Sequence, residues 1–180
     1  MSDGRRMVRR RRGERRQIDF VVERHVHRTV GVMVWGAIGY GRRSPLIFIR
    51  GNMTAARYID DVLEPGLLPY IEELQNALFQ QDNALLHIAH RTMQFLEDAD
   101  VDILPWPSRS PDLNPIEHVW DMMGRRLTSL QNPPQTLARL QQEIQAAWNE
   151  LPQADIDHLI LLMPRRVYEC IQHQGRPIHY

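Results

Sequence analysis

A chain of 180 residues suits one domain with an ordinary core, and 43% apolar with 24% charged residues is the balance of a globular protein. The lone cysteine, Cys170, excludes an internal disulfide framework and favours a reducing compartment; no apolar signal core opens the chain, and the longest apolar run, residues 30–38, is too short to span a bilayer. The net charge of zero hides a strong polarity: all 22 basic residues are arginine, with 13 Arg against 4 acids in residues 1–50 and 9 Arg against 18 acids in residues 51–180.

That polarity has chemical content. Guanidinium groups bind phosphate oxygens bidentately and stay ionised, whereas an acidic remainder suits divalent cations. Arginine-only usage also has a competing origin in the composition of the coding DNA, but that does not place the arginines at one end.

Residues 1–16 read as an exposed turn and a short basic strand or arm. The β-branched run 30–38 predicts a buried strand, residues 39–44 a turn and 45–51 a second strand, together a hairpin. Thr54 is the expected N-cap of a helix over about 55–63, which Pro65 and Pro69 should interrupt before a last turn or two to Gln75. Residues 77–82 predict a third strand, 87–98 a helix and 101–104 a short fourth strand. Pro105, Pro107 and Pro111 then hold an extended loop. Asn114 as N-cap, Pro115 at the first helical position and Glu117 at the third form a capping-box pattern opening a helix to about Leu130. Thr136 caps another helix through Trp148, and a helical region punctuated by Pro152 and Pro164 follows. The order predicts an α/β layer fold with a mixed sheet flanked by helices.

Two carboxylates stand out. Asp82 closes a strand-like run, where open α/β sheets place ligands, although Asp-Asn is also a common turn signal. Glu117 sits in a helix's first turn, where the dipole favours its ionised form, although it equally completes the capping box with Asn114. Asp121, one turn on, is a backup ligand or an exposed helical acid. His87 and His90 share a helical spacing but lack further zinc ligands nearby. His25 and His27 suit phosphate contact or solvent, and the four tryptophans are spaced as core residues. The arginines of residues 5–16 suit a DNA backbone or a nuclear localisation signal, or else a solvated strand edge.

The constellation resembles the catalytic domain of the Tc/mariner superfamily of cut-and-paste DNA transposases, DDE endonucleases with an RNase H-like fold. The resemblance is carried by Asp3-Gly4-Arg5 leading into Arg11-Arg12-Gly13-Glu14-Arg15, by Val32-Met33-Val34-Trp35-Gly36-Ala37-Ile38, by Gly51-Asn52-Met53-Thr54 with Arg57-Tyr58-Ile59, and by Gln81-Asp82-Asn83-Ala84 with His87. Its most specific part runs from Leu104-Pro105-Trp106-Pro107 through Ser110-Pro111-Asp112-Leu113-Asn114-Pro115-Ile116-Glu117; Met163-Pro164-Arg165-Arg166 and the 175–180 tail resemble the family's closing segment. The resemblance implies that Asp82 and Glu117, with 34 residues between them, are the second and third catalytic carboxylates and metal ligands. It implies Mg²⁺ (or Mn²⁺) as cofactor, because two hard cations about 3.5–4 Å apart need shared oxygen ligands. It implies DNA as partner, with contacts expected from Arg9, Arg10, Arg11, Arg12, Arg15, Arg16, Asn83 and His87; a homodimer is compatible with it, a membrane is not, and a nuclear location follows from the DNA chemistry.

In that family the first catalytic aspartate stands on a strand upstream of the Asp-Gly-Arg region. Asp3 matches the downstream segment and is not assigned that role, so the first catalytic strand is expected to be missing and the chain to cleave DNA little or not at all by itself. The family's N-terminal helix-turn-helix pair has no counterpart in these residues, and Leu86 stands where many relatives carry proline. Residues 1–130 are expected to form the partial catalytic core and 131–180 a helical extension of the same domain. The alternatives are a non-catalytic nucleic-acid-binding remnant and an RNase H-like nuclease or interaction module.

Overall fold

The structure is a computed structural model and describes residues 31–107 and 110–173. The chain divides after Gly31, and the account below concerns the unit that starts at Val32. The expected basic arm, with Arg9, Arg10, Arg11, Arg12, Arg15 and Arg16, lies outside the described residues, as do Asp3, His25, His27 and the 175–180 tail.

The hairpin forms, but as two short ladders. β1 (Met33–Trp35) pairs antiparallel with β4 (Ile47–Ile49), Trp35 opposite Ile47, while β2 (Ile38–Gly39) pairs with β3 (Arg42–Arg43) at the tip. The expected continuous strand breaks at Gly36-Ala37, where the Ser44 hydroxyl accepts from the Ala37 N–H at 2.8 Å and the Ser44 N–H donates to the Ala37 carbonyl at 2.9 Å. Gly36 is required there. A Cβ on it would lie 2.9 and 3.1 Å from two ring carbons of Trp148, a large side chain that is 2% exposed. Gly36→Ala is expected to destabilise the protein by about 1–3 kcal/mol through overpacking against a ring that cannot retreat, measured by urea unfolding.

Thr54 caps the next helix as expected, its hydroxyl accepting from the Arg57 N–H at 3.3 Å. The prolines do not interrupt it, which corrects the sequence expectation. Helix α1 (Ala55–Tyr58) continues into a π-helical stretch, Ile59–Leu67, and then into α2 (Leu68–Glu72). An α-helix rejects an interior proline because the ring meets the carbonyl four residues back and one bond is lost. The wider i→i+5 turns around Pro65 change that spacing, and Pro69 falls in the first turn of α2, where the bonding pattern is switching back.

The third and fourth expected strands reduce to one parallel bridge between Phe79 and Ile103. The Phe79 N–H donates to the Asp102 carbonyl at 2.7 Å, and the Leu104 N–H returns to the Phe79 carbonyl at 2.9 Å. Helix α3 (His90–Asp98) starts three residues later than expected, because Ala84 to His87 first close a turn through a 2.8 Å backbone bond. His87 and His90 therefore do not share a helix.

Helix α4 (Pro115–Thr128) begins as read: the Asn114 side chain accepts from the Ile116 N–H at 3.4 Å, Pro115 occupies the first turn, and Arg125 and Arg126 occupy the last, where cations suit the dipole. Helices α5 (Leu137–Glu150), α6 (Gln153–Leu161) and α7 (Met163–Gln172) complete the unit.

Two apolar clusters result. One joins Leu46 of the hairpin to Val119 and Met123 of α4, to Ile144, Ala147 and Trp148 of α5 and to Ile156 of α6, so residues beyond 131 share a core with α4. The other packs Tyr58, Val62, Leu63 and Leu67 against Phe79, Leu96 and Val101. Asp82 and Glu117 lie between the elements that build these clusters.

Candidate active site

A cleft of about 520 Å³ is lined by Asp82, Glu117, Tyr58, His87, Trp35 and Trp120 among others, and its wall away from the carboxylates is apolar, with Leu67, Leu78, Ile160 and Met163. Asp82 reaches it from the end of the extended run held by the Phe79 bridge, Glu117 from the first turn of α4.

The capping-box reading of Glu117 is settled by the backbone. The Asn114 N–H, which a capping-box glutamate would accept from, donates instead to the Pro111 carbonyl at 2.8 Å. The turn of 3₁₀ helix Pro111–Leu113 supplies that carbonyl. Glu117 is thereby left to line the cleft. Its carboxyl is pushed above the usual carboxylate range, first by burial and then by the charge of Asp82. The second cause shows that the two acids feel one another although 34 residues separate them in sequence.

A raised folded-state value has a definite sign. The native protein holds this proton more tightly than the unfolded chain, so Glu117 favours the folded state at low pH and that contribution is lost as pH rises through its folded value. In metal-free buffer at neutral pH, Glu117→Gln is expected to unfold at a higher temperature than the unaltered protein. The gap should close as pH falls below the ordinary glutamate value, which a calorimetric pH series would read.

Asp82 partly fulfils the turn-signal reading: its Oδ1 accepts from the Ala84 N–H at 3.0 Å, an Asx turn. The same oxygen receives His87 Nδ1 at 2.6 Å. Asn83 Nδ2 donates to the Trp106 carbonyl at 2.9 Å, tying this loop to the proline-rich loop that leads to α4. Both Asn83 and His87, expected as DNA contacts, thus have partners inside the protein. Asp121 does not line the cleft; its carboxylate pairs with Arg125 one turn on.

Sequence reasoning missed Tyr58. It is 2% exposed, its hydroxyl donates to Gln81 Oε1 at 3.1 Å and its ring lies 4.7 Å from that of His87, tilted by 39°. Burial raises its phenol above the ordinary value; the Trp35 hydrogen bond opposes this and the Asp82 charge adds to it. The only signal was its place in Arg57-Tyr58-Ile59, which periodicity reads as core. Next to Glu117, burial and then the Arg166 guanidinium lower the His118 imidazole, with Arg125 acting in the same direction and Asp121 against it. Arg166 is 6% exposed, and its helix α7 packs on the Pro111–Leu113 turn.

Among the described residues, no group of three or more His, Cys, Asp or Glu side chains is placed to hold a metal ion. No helix among them is long and apolar enough to cross a membrane.

Comparison with known proteins shows the family. The family described as DDE superfamily endonuclease matches residues 3–141. The chain is 36% identical over 151 residues to the transposable element Tc3 transposase of Caenorhabditis elegans, covering 83% of this chain and 46% of that one. It is 35% identical over 184 residues to the Tcb1 transposase of Caenorhabditis briggsae, covering 99% and 65%. The chain therefore spans between about half and two thirds of the length of these relatives. Among solved structures, the Mos1 transposase catalytic domain with raltegravir and Mg matches with a TM-score of 0.69 at 20% identity, over 82% of this chain and 77% of that one. The Mos1 paired-end complex with the left transposon end matches with a TM-score of 0.73 at 18% identity, over 99% and 50%. At such identity the likeness concerns the fold, which is RNase H-like as expected. The chain belongs to the DDE superfamily endonucleases, in their Tc/mariner transposase branch.

Proposed function

We propose that this chain is the catalytic domain of a transposase that cuts and rejoins DNA phosphodiesters, with Asp82 and Glu117 as metal ligands. The observation that carries the reading is their convergence on one cleft, close enough for the charge of Asp82 to raise the Glu117 carboxyl. The relatives it resembles are transposases, and Mos1 was crystallised with Mg and with Mn.

The residues fit a hard divalent cation. Two carboxylates offer oxygen ligands, and among the described residues no thiolate joins them. Their mutual repulsion is what a cation between them would offset. Mg²⁺ or Mn²⁺ bound there would polarise a phosphodiester oxygen and lower the proton affinity of an attacking water. The chain's own residues do the rest. The Asx turn and His87 fix Asp82, the 3₁₀ turn and Asn114 fix the start of α4 and so Glu117, and Trp35, Trp120 and Tyr58 line the cleft beside them. The arginine-rich run of residues 5–16 fits the DNA backbone in this reading, and with it a nuclear location.

Mn²⁺ titration of the purified chain, followed by electron paramagnetic resonance, tests the proposal. Binding that Mg²⁺ displaces and that either Asp82→Ala or Glu117→Ala removes is expected. Unchanged binding in both variants would overturn the metal-ligand reading.

A further inference from the structure

We propose that His87 is a positioning residue for Asp82: its imidazole Nδ1–H fixes the carboxylate so that Oδ1 is engaged by the protein and Oδ2 remains for a cation. The inference rests on the reading of Asp82 as a metal ligand and assigns His87 a task different from the DNA contact expected of it.

The hydrogen-bond chemistry determines where the proton is. His87 Nδ1 lies 2.6 Å from Asp82 Oδ1 and 3.3 Å from the Asp82 carbonyl oxygen. Neither oxygen of an ionised aspartate can donate, so the shared proton belongs to Nδ1. With the Ala84 N–H at 3.0 Å, two donors converge on Oδ1, and among the described residues none reaches Oδ2.

The ring is also held in place. Tyr58 lies against it at 4.7 Å and is itself fixed by Gln81 and by full burial, while the His87 backbone N–H closes the turn onto the Ala84 carbonyl at 2.8 Å. The His87 side chain is 20% exposed against 62% for Asp82. The imidazole therefore sits behind the carboxylate and leaves the open side to Asp82. Ligands oriented by an outer hydrogen bond of this kind bind metal about 10–100-fold more tightly than the same ligand without it.

The test compares Mn²⁺ affinity of the unaltered chain, His87→Ala, His87→Asn and Asp82→Ala in the absence of DNA, and DNA affinity of the same proteins in EDTA. His87→Ala is expected to weaken Mn²⁺ binding at least about tenfold with DNA affinity in EDTA unchanged. His87→Asn, whose amide N–H₂ stands near the place of Nδ1, is expected to recover most of the loss. Loss of Mn²⁺ binding in Asp82→Ala with none in His87→Ala overturns the positioning role while the metal reading stands; unchanged binding in Asp82→Ala overturns both. Loss of DNA affinity in EDTA with Mn²⁺ binding intact returns His87 to a DNA contact. Because His87→Ala risks misfolding, ¹⁵N NMR of the unaltered chain supplies a second reading: an Nδ1–H tautomer is expected, and an Nε2–H tautomer with bare Nδ1 overturns the proposal.

Discussion

Asp82→Ala is expected to weaken Mn²⁺ binding at least about a hundredfold, roughly 2.7 kcal/mol, and to remove with it whatever metal-dependent plasmid nicking the unaltered chain shows. Removing a direct ligand should exceed the loss on removing the His87 hydrogen bond behind it, since outer partners alone account for about 10–100-fold. Glu117→Ala is expected to match it, because the cleft presents two acids and the loss of either leaves one. The two substitutions differ in a second respect. Glu117 carries a raised carboxyl, so its replacement relieves a cost to the metal-free fold, whereas Asp82 accepts two hydrogen bonds whose donors lose their partner. Metal-free thermal unfolding should therefore separate variants that metal titration makes look alike: Glu117→Gln up, Asp82→Ala down. Mn²⁺ binding that survives Asp82→Ala would remove the metal-site proposal altogether.

Trp148→Ala is expected to cost about 3–5 kcal/mol, the range for truncating a buried aromatic side chain, and to lower the unfolding midpoint by roughly 10 °C in a protein of this size. Trp148 is 2% exposed, its indole N–H donates to the Ser44 carbonyl at 3.1 Å, and Trp120 stacks on it at 5.4 Å. Against a typical total of about 5–15 kcal/mol, this one side chain carries a large share. The effect should reach the site, because Trp120 lines the cleft beside Glu117. Trp148→Phe keeps a ring against Trp120 but leaves the Ser44 carbonyl without its donor, so a cost between the two is expected. Unfolding curves for both variants check the order; a loss under about 1 kcal/mol for Trp148→Ala would mean the cluster does not close on this ring.

How much of this was legible in the residues depended on whether the signal was local. Helix α4 was read nearly to its last residue, because Asn114, Pro115 and the terminal arginines act within one turn of where they stand. The capping box failed because Pro111, just upstream of the four-residue pattern, satisfies the Asn114 N–H first. Pro65 was read as a stop because α geometry forbids it, and the π-helical escape has no sequence signature. The apolar start of residues 77–82 correctly gave an extended run but could not say how many hydrogen bonds its neighbour would return; the answer is one bridge. At the site, motif resemblance singled out Asp82 and Glu117, which line one cleft and which pattern alone would have left as a turn and a cap. Tyr58 escaped because a buried tyrosine looks the same in sequence whether it packs a core or backs a histidine.

The hairpin of residues 33–49 is fastened in part to residues made much later. Arg43 donates to the Leu151 carbonyl at 2.7 Å and the Asn149 carbonyl at 3.1 Å, the Gly41 N–H to Asp157 at 2.7 Å, and Trp148 reaches back to Ser44. On a ribosome adding about 5–20 residues per second, the hairpin would wait on the order of 5–20 s for those partners. During that interval its apolar face has no cover from α5 or α6. The period of greatest exposure to aggregation, and to chaperones, therefore falls before residue 148 is made, and slowing synthesis across α4 would lengthen it.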